Sequence, residues 1–387
     1  MPADRIAIVG AGIAGLTAAL AFARKGIASD IYEQAAALTE VGAGLQISPN
    51  ASRILGALGV LEKIETVWTE PECIQLLSGV SLKAISHVPA GGFARERWGA
   101  PYGVLHRSTL QNALLDAVQA QPLCHLKLAN RLLRDQISGL NGTGGPYRLV
   151  VGADGVWSEM RHRIPDGPEP DFSGNVAWRF TIGAANAPAW LTPDAVSAFL
   201  GPSAHLVAYP LREVDGFNIV AIASGVSPGE TWAAKSTQAQ RGMLLDQFRS
   251  WNQQIVQLLE TAPAPTFWPL YQMIPGRWQN GADTVLIGDA AHAMMPFAAQ
   301  GAAMAIEDAF ALAAHVAGTA SVPQALGAFE AERTPRIARA RARGKFNRFA
   351  YHARGPVRLG RDLVLSLRPP QSLAADLDWL YGYRSRD

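Results

Sequence analysis

Cysteine is nearly absent: Cys73 and Cys124 are the only ones in 387 residues, and neither belongs to a CxxC or a metal-ligand spacing. A disulfide framework and a structural zinc are therefore not expected, no metal site is assigned, and a reducing cytoplasm suffices. Charge of either sign is also sparse. With 34 Lys and Arg against 32 Asp and Glu, the net charge is +2, too near balance for a nucleic-acid or acidic-membrane partner. Long uninterrupted apolar runs are missing as well. The nearest approach, residues 6–23, is broken by glycines and has no basic segment before it, so it reads as neither a signal peptide nor a membrane span. No clear internal repeat or low-complexity segment is present, which sets aside repeat architectures.

What the chain does have is 49% hydrophobic residues, enough for a large core in two domains, and three glycine-anchored turns far apart in sequence. These are GAGIAG at Gly10 to Gly15, GADG at Gly152 to Gly155 and GDAAH at Gly288 to His292. The first lies between the apolar run Ile6 to Val9, read as a buried parallel strand, and a helix-forming stretch from Ile13 to Lys25. Gly10 permits the tight turn, Gly12 lets backbone approach a pyrophosphate, and Gly15 lets the helix lie close on the strand. Free N–H groups and the positive end of the helix dipole then suit a phosphate. A second strand from Ala28 ends at Glu33, about twenty residues past the turn, where a carboxylate can take ribose hydroxyls. The other two turns follow the strand-like runs YRLVVG and VLIG. Together the trio reads as the wrapping of one long dinucleotide, FAD.

In this order the three motifs resemble the aromatic-ring hydroxylases of the single-component flavoprotein monooxygenases, the group of salicylate and para-hydroxybenzoate hydroxylase, from Arg5 to about Leu363. The resemblance implies that Gly10, Gly12, Ala14 and Gly15 form the pyrophosphate loop and that Glu33 is the ribose acid. It implies that Asp154 handles FAD and NAD(P)H, that Asp289 holds the ribityl chain, and that Arg107, in GVLHRSTLQNAL, lies near the ribityl and phosphate region. The segment from Val41 to Leu55 resembles the loop and helix start along the flavin's other side. PFAAQGAAMAIEDA, from Pro296, resembles the segment whose helix starts beneath the isoalloxazine ring. Physical chemistry agrees, since Gly301 and Ala302 would aim N–H groups and a helix dipole at the ring edge that becomes anionic on reduction.

The expected fold is α/β: a Rossmann-like FAD domain with an inserted mixed β-sheet substrate domain and a C-terminal helical region. The FAD domain takes residues 1–71, 100–171 and 275–320, the substrate domain 72–99 and 172–274, and the helical region 321–387. Relatives carry a longer β-meander where only Leu123 to Val150 is available here, so part of it is expected to be absent. Gly139 to Gly145 and Pro263 to Pro269 read as loops. From Arg333 to Arg368 stand eleven Arg or Lys against one acid, Asp362. Sparse aromatics and the small net charge favour a solvated basic helix face over a nucleic-acid site.

Candidate chemistry lies on the substrate sheet. In AHLVAYP, His205 and Tyr209 are four apart, which in a strand puts both on one face. The pair resembles the His and Tyr that meet the substrate hydroxyl in members hydroxylating phenolic acids and hydroxypyridines, and Gln300 resembles a third substrate contact. A phenol, pKa about 10, must be deprotonated or strongly hydrogen-bonded to activate its ring, and a histidine near about 6.5 is the suitable base. His292 reads as an orienting residue rather than a base. Arg179, in AWRF, either meets a carboxylate or braces the sheet. Trp178, Phe180 and Phe199 are candidates for excluding water.

The activity implied is hydroxylation of a small electron-rich aromatic through a flavin C4a-hydroperoxide, with O2 and with NADH or NADPH as transient reductant. The protein is expected as a cytoplasmic monomer or homodimer. A larger polycyclic or isoprenoid substrate is the alternative, and a non-catalytic flavin-binding regulator the alternative of another class.

Overall fold

The computed structural model describes residues 5–38, 44–133, 136, 141–142, 145–226 and 234–385. Ile6, Ala7 and Ile8 are fully buried, as befits a parallel strand covered on both faces. Around this Arg5–Val9 strand forms a five-stranded parallel sheet, in the order Thr284–Leu286, Leu149–Gly152, Arg5–Val9, Ala28–Tyr32, Cys124–Lys127. The helix Ile13–Arg24 follows the first strand and packs against helices Arg107–Ala120 and Gly301–Ala317. Small residues on its buried faces, Ala18, Ala19 and Ala21 among them, allow that close approach.

The second sheet has eight strands, in the order Ala234–Lys235, Thr266–Ile274, Glu169–Gly183, Gly216–Ser224, Ala204–Leu211, Ala195–Gly201, Cys73–Ser78, Ala84–Pro89. All neighbours are antiparallel except Ala195–Gly201 with Cys73–Ser78. The chain therefore enters this sheet twice, and parallel pairing joins the two visits. Helices Gln238–Phe248 and Gln253–Glu260 cover one face over a core of Trp178, Phe199, Leu206, Ala208, Phe248 and Trp251. The two-residue period turns His205, Val207 and Tyr209 to the other face, toward the parallel sheet and the C-terminal helices.

Three sequence expectations need correction or qualification here. The reading of Pro263 to Pro269 as a loop fails from Thr266 onward, because strand Thr266–Ile274 runs through Pro269, opposite Val176. Its outer neighbour pairs only at Phe267 and Thr266, so Pro269 sits where no outward donor is required. The meander before the second glycine turn is reduced, among the described residues, to a two-stranded ladder of Asn141–Gly142 with Gly145–Pro146. The expected loop at Gly139 to Gly145 lies partly outside the described residues, as does the start of the Val41 to Leu55 segment. Finally, the basic run is not uniformly solvated. On the long helix Val322–Tyr351, Arg333 is fully buried against Glu307 and Asp308. Arg336 lies beside it on Glu307, and Arg361 of helix Gly355–Leu367 is buried with its Nη1 on the Ala350 carbonyl.

Candidate active site

The three glycine turns meet in space. A Cβ on Gly10, whose φ is 101°, would lie 2.5 Å from the Ala153 carbonyl oxygen, so the first turn rests on the second. A Cβ on Gly288 would come within 3.1 Å of the Ala14 Cβ, so the third rests on the first. Gly15 is packing too, its Cβ position being 1.9 Å from the Gly10 carbonyl oxygen. Gly12 differs, for a Cβ there would meet nothing within 4 Å. Open space thus faces a helix start at Gly12 that has no side-chain cap, which is the space and donor set a pyrophosphate needs.

This contrast gives a test. Gly12→Ala should fold with the apoprotein's melting temperature nearly unchanged but retain little FAD, whereas Gly15→Ala should not fold. Equal flavin retention by Gly12→Ala and the parent, measured by absorbance after desalting, would contradict the assignment.

Glu33 stands at the end of its strand, half-buried. Its carboxylate accepts from the backbone N–H groups of Ala11, at 2.9 Å, and Ala35, at 2.8 Å, so it is tied to the glycine turn. Gln111 holds the same turn from the other side through the Ala11 carbonyl, at 3.3 Å. Asp154 accepts from the N–H groups of Glu159, at 2.8 Å, and Met160, at 3.1 Å, through Oδ2, while its buried Oδ1 has no protein partner. Burial pushes its carboxyl up. Asp289 opens the one-turn helix Asp289–His292 and is half-buried. Helix Gly301–Ala317 begins without a side-chain cap, and a Cβ on Gly301 would meet nothing within 4 Å. The N–H groups of Gly301 and Ala302 are thus presented to space at the positive end of a 17-residue helix. An orphaned carboxylate oxygen, an open glycine turn and an uncapped helix start fit FAD.

Beside that helix start is a cavity of 860 Å³, half open, with Val207, Leu76, Ala198, Tyr102, Phe297 and His205 in its walls. His205 is 1% exposed, packs on Phe297 and Tyr351, and shares a hydrogen bond of 2.9 Å between its Nδ1 and His352 Nε2. Burial, then the neighbouring His352, pushes the His205 imidazole well below its ordinary value. Burial opposes a charge on the ring, so the expectation of a base titrating near 6.5 is not met. Tyr209 shares the face but packs against Gly44 and, contrary to expectation, is not among the residues lining the cavity; burial pushes its hydroxyl up. Arg179 lies over the Trp268 ring, 4.9 Å from its centroid. Its Nε is buried without a partner, and burial pushes the guanidinium down to about 10. Arg107 opens helix Arg107–Ala120 close enough to act electrostatically on Arg179.

Gln300 departs from expectation. Its amide nitrogen donates to Ser48 Oγ at 3.0 Å and its oxygen accepts from Asn50 Nδ2 at 3.3 Å, so the side chain is taken up in a buried network instead of facing the cavity. That network continues from Asn50 to Glu307 at 2.7 Å, and on through Arg333 to Asp308 and His292. Asp308 also accepts from the Gly288 N–H at 3.0 Å, which locks the third glycine turn. Against burial, His292 and Arg333 hold its carboxyl below the usual range. His292 therefore orients a turn. Sequence reasoning missed His352, Gln111 and the Glu307–Asp308–Arg333 cluster. Only Gln111 left a trace, one helical turn after Arg107.

Comparison with known proteins agrees with this geometry. A sequence model described as FAD binding domain matches residues 4–343. The chain is 32% identical to 3-hydroxybenzoate 6-hydroxylase 1 of Aquipseudomonas alcaligenes over 98% of both proteins. To a 3-amino-4-hydroxybenzoate 2-monooxygenase of Streptomyces platensis it is 33% identical, over 98% of this chain and 96% of that one. Among solved structures, a salicylate hydroxylase substrate complex superposes with a TM-score of 0.79 at 22% identity, covering 98% of this chain and 95% of that one. Klebsiella pneumoniae HpxO complexed with FAD and uric acid does so at 0.80 and 22%, covering 97% and 96%. With its glycine turns converged and its sequence matched almost end to end, the chain belongs to the FAD-dependent aromatic-ring monooxygenases.

Proposed function

We propose that this protein hydroxylates a small phenolic acid or hydroxypyridine, consuming O2 and NADH or NADPH, as a cytoplasmic monomer or homodimer. The observation that carries the reading is His205 in the wall of a largely apolar 860 Å³ cavity that also holds Arg339, Arg343, Arg361 and Arg368, and whose wall, Pro296 to Ala299, runs into the Gly301 helix start. Relatives named for hydroxybenzoates and for 6-hydroxynicotinate support the substrate class. The partition into cofactor, substrate and helical segments belongs to the same proposal and is supported by which strands enter which sheet.

In this reading Gly10, Gly12, Ala14 and Gly15 hold the pyrophosphate, Glu33 the ribose, and Asp289 and Arg107 the ribityl and phosphate region. Asp154 closes the second turn, and the N–H groups of Gly301 and Ala302 face the ring. Bound FAD supplies the electron transfer and oxygen activation. His205, its Nδ1 committed to His352, offers Nε2 to the phenol. Being neutral, it can accept the proton that the ring must lose. Tyr209 does not line this cavity, so the substrate contact expected of it has no part in this reading. Phe297, Tyr351, Leu76 and Val207 exclude water, which would divert the oxidising equivalent to peroxide.

The cavity lies in the upper part of the usual range of about 300–1,000 Å³ for ligand sites, which favours a larger polycyclic phenol as the second reading. NADH and NADPH oxidation should therefore be followed over 3-hydroxybenzoate, salicylate, 6-hydroxynicotinate and a naphthol. The expected result is a yellow protein that converts at least one compound to a product with one added oxygen per NAD(P)H consumed. Oxidation that yields only peroxide with every compound would reject the proposal.

A further inference from the structure

His205 is not a dead end. Its partner His352 is the last residue of the long helix's C-terminal cap and is fixed on both sides: its N–H donates to the Arg348 carbonyl at 3.0 Å, and its carbonyl accepts from Ser203 N–H at 3.2 Å. Beyond it opens a second cavity of 1040 Å³, with His352, Ser203, Arg341, Lys345, Arg348 and Arg354 in its wall. The first cavity has His205 in its wall and the second has His352. Phe297 belongs to both walls, its ring 5.0 Å from His205 and 5.4 Å from His352. Two imidazoles joined by one hydrogen bond thus connect the walls of two half-open cavities, the first the proposed substrate chamber.

Resting on the reading of His205 as the base, we propose that His352 is a positioning residue that relays the substrate's phenolic proton from His205 to water in the second cavity. The phenol O–H bond breaks as N–H forms at His205 Nε2. The proton on His205 Nδ1 passes to His352 Nε2, and the proton on His352 Nδ1 leaves to water or buffer. Each ring ends neutral, in its other tautomer, and the phenolate stays in the first cavity. Reprotonation of the product by the reverse transfers restores both tautomers.

Two observations make a relay better than a resident proton. An imidazolium at His205 would sit against Phe297 and Tyr351, with no carboxylate hydrogen-bonded to it among the described residues, and desolvation opposes that charge. At His352 the nearby Arg348 and Arg354 oppose it as well: burial, then these two cations, pushes that ring down to about 4. Neither histidine is a place for the proton to rest, so a base here works when the proton moves on.

The test uses the FAD-loaded enzyme with the best phenolic substrate of the panel, its kcat normalised to flavin content. His352→Ala should lower kcat about tenfold or more, general acid–base steps being worth 10²–10⁴-fold at most, while KM stays within about twofold and FAD is retained. Added imidazole, entering through the second cavity, should restore kcat in proportion to its concentration. His352→Gln, which keeps a hydrogen-bonding amide beside His205 but cannot pass a proton on, should remain slow with or without imidazole. Wild-type kcat in His352→Gln, or a slow His352→Ala that imidazole does not restore, overturns the relay and leaves His352 a structural contact. His205→Ala separates the two readings. Wild-type turnover in that variant removes the base and the relay together, whereas a slow His205→Ala beside a fast His352→Ala removes the relay alone.

Discussion

Arg333→Met should cost about 3–5 kcal/mol of stability, the penalty for breaking a buried ion pair by deleting one partner. Arg333, Glu307 and Asp308 are all fully buried. The guanidinium donates through Nη1 to Glu307 Oε2 at 2.7 Å and through Nε to Asp308 Oδ1 at 2.8 Å. Burial opposes its charge, yet the two carboxylates raise its proton affinity above the ordinary value. Methionine matches much of its length but leaves two carboxylates short of a counter-charge. Arg336 retains two contacts to Glu307, from Nε at 2.5 Å and from Nη2 at 2.6 Å, and His292 still touches Asp308, so the loss is partial. Because Asp308 also holds the Gly288 N–H, the damage should reach the cofactor, and FAD should dissociate at a lower urea concentration than the one that unfolds the apoprotein. Urea titrations followed by far-UV circular dichroism and flavin fluorescence read both. A change below about 1 kcal/mol, the scale of an exposed pair, would show that the cluster contributes little.

His205→Ala should keep FAD and lose about 10²-fold or more in hydroxylation, if general-base catalysis is its role. Its ring lies outside all three glycine turns and meets Phe297, Tyr351 and His352, so the cofactor contacts survive its removal. The parent's pH profile carries a second expectation. A base must be unprotonated to act, and burial lowers the proton affinity of His205. The acid limb of kcat should thus lie below the ordinary histidine value of about 6.5, with activity persisting into mildly acidic solution. The same shift has a stability sign. Unfolded, the histidine takes up a proton near 6.5; folded, it does so only at lower pH. Its contribution is therefore complete above 6.5 and is lost as pH falls toward the folded value. Product and NAD(P)H oxidation must be measured separately, since a variant that consumes NAD(P)H at the parent rate without product is uncoupled. Parent-rate hydroxylation with an unchanged profile would make His205 structural.

The cofactor turns were legible in the sequence because each depends on a missing Cβ, a property of one residue type at one place. Gly10 and Gly15 collide with backbone if they carry one, and Gly12 does not. The shared face of His205 and Tyr209 was legible because a strand's period is two. The direction of an amide was not. Gln300 finds its partner Ser48 at a sequence distance of 252 and Asn50 at 250, and nothing near Gln300 announces either. The basic run misled for a related reason: composition shows that Arg333 is charged, and only packing shows that Glu307 and Asp308 wait for it across the helix interface. Pro269 was read by its usual habit, yet the strand beyond it is too short to ask for its missing donor. His352, at a sequence distance of 147 from His205, stood in a stretch whose arginines drew the eye to the surface.

Strand Thr284–Leu286 closes the parallel sheet against Leu149–Gly152, and the Gly301–Ala317 helix that covers Ile13–Arg24 comes later still. During synthesis, then, the first two glycine turns leave the ribosome long before the third, with six of the second sheet's eight strands made in between. A nascent chain that has reached only Ser224 has the apolar Ile6–Val9 strand without one of its eventual covering layers and has no Gly288 turn to complete the cofactor cradle. Non-local pairings of this kind fold slowly and leave apolar surface open meanwhile. The interval between the second and third turns is thus the period in which that apolar surface stays uncovered, and flavin capture is expected only after it.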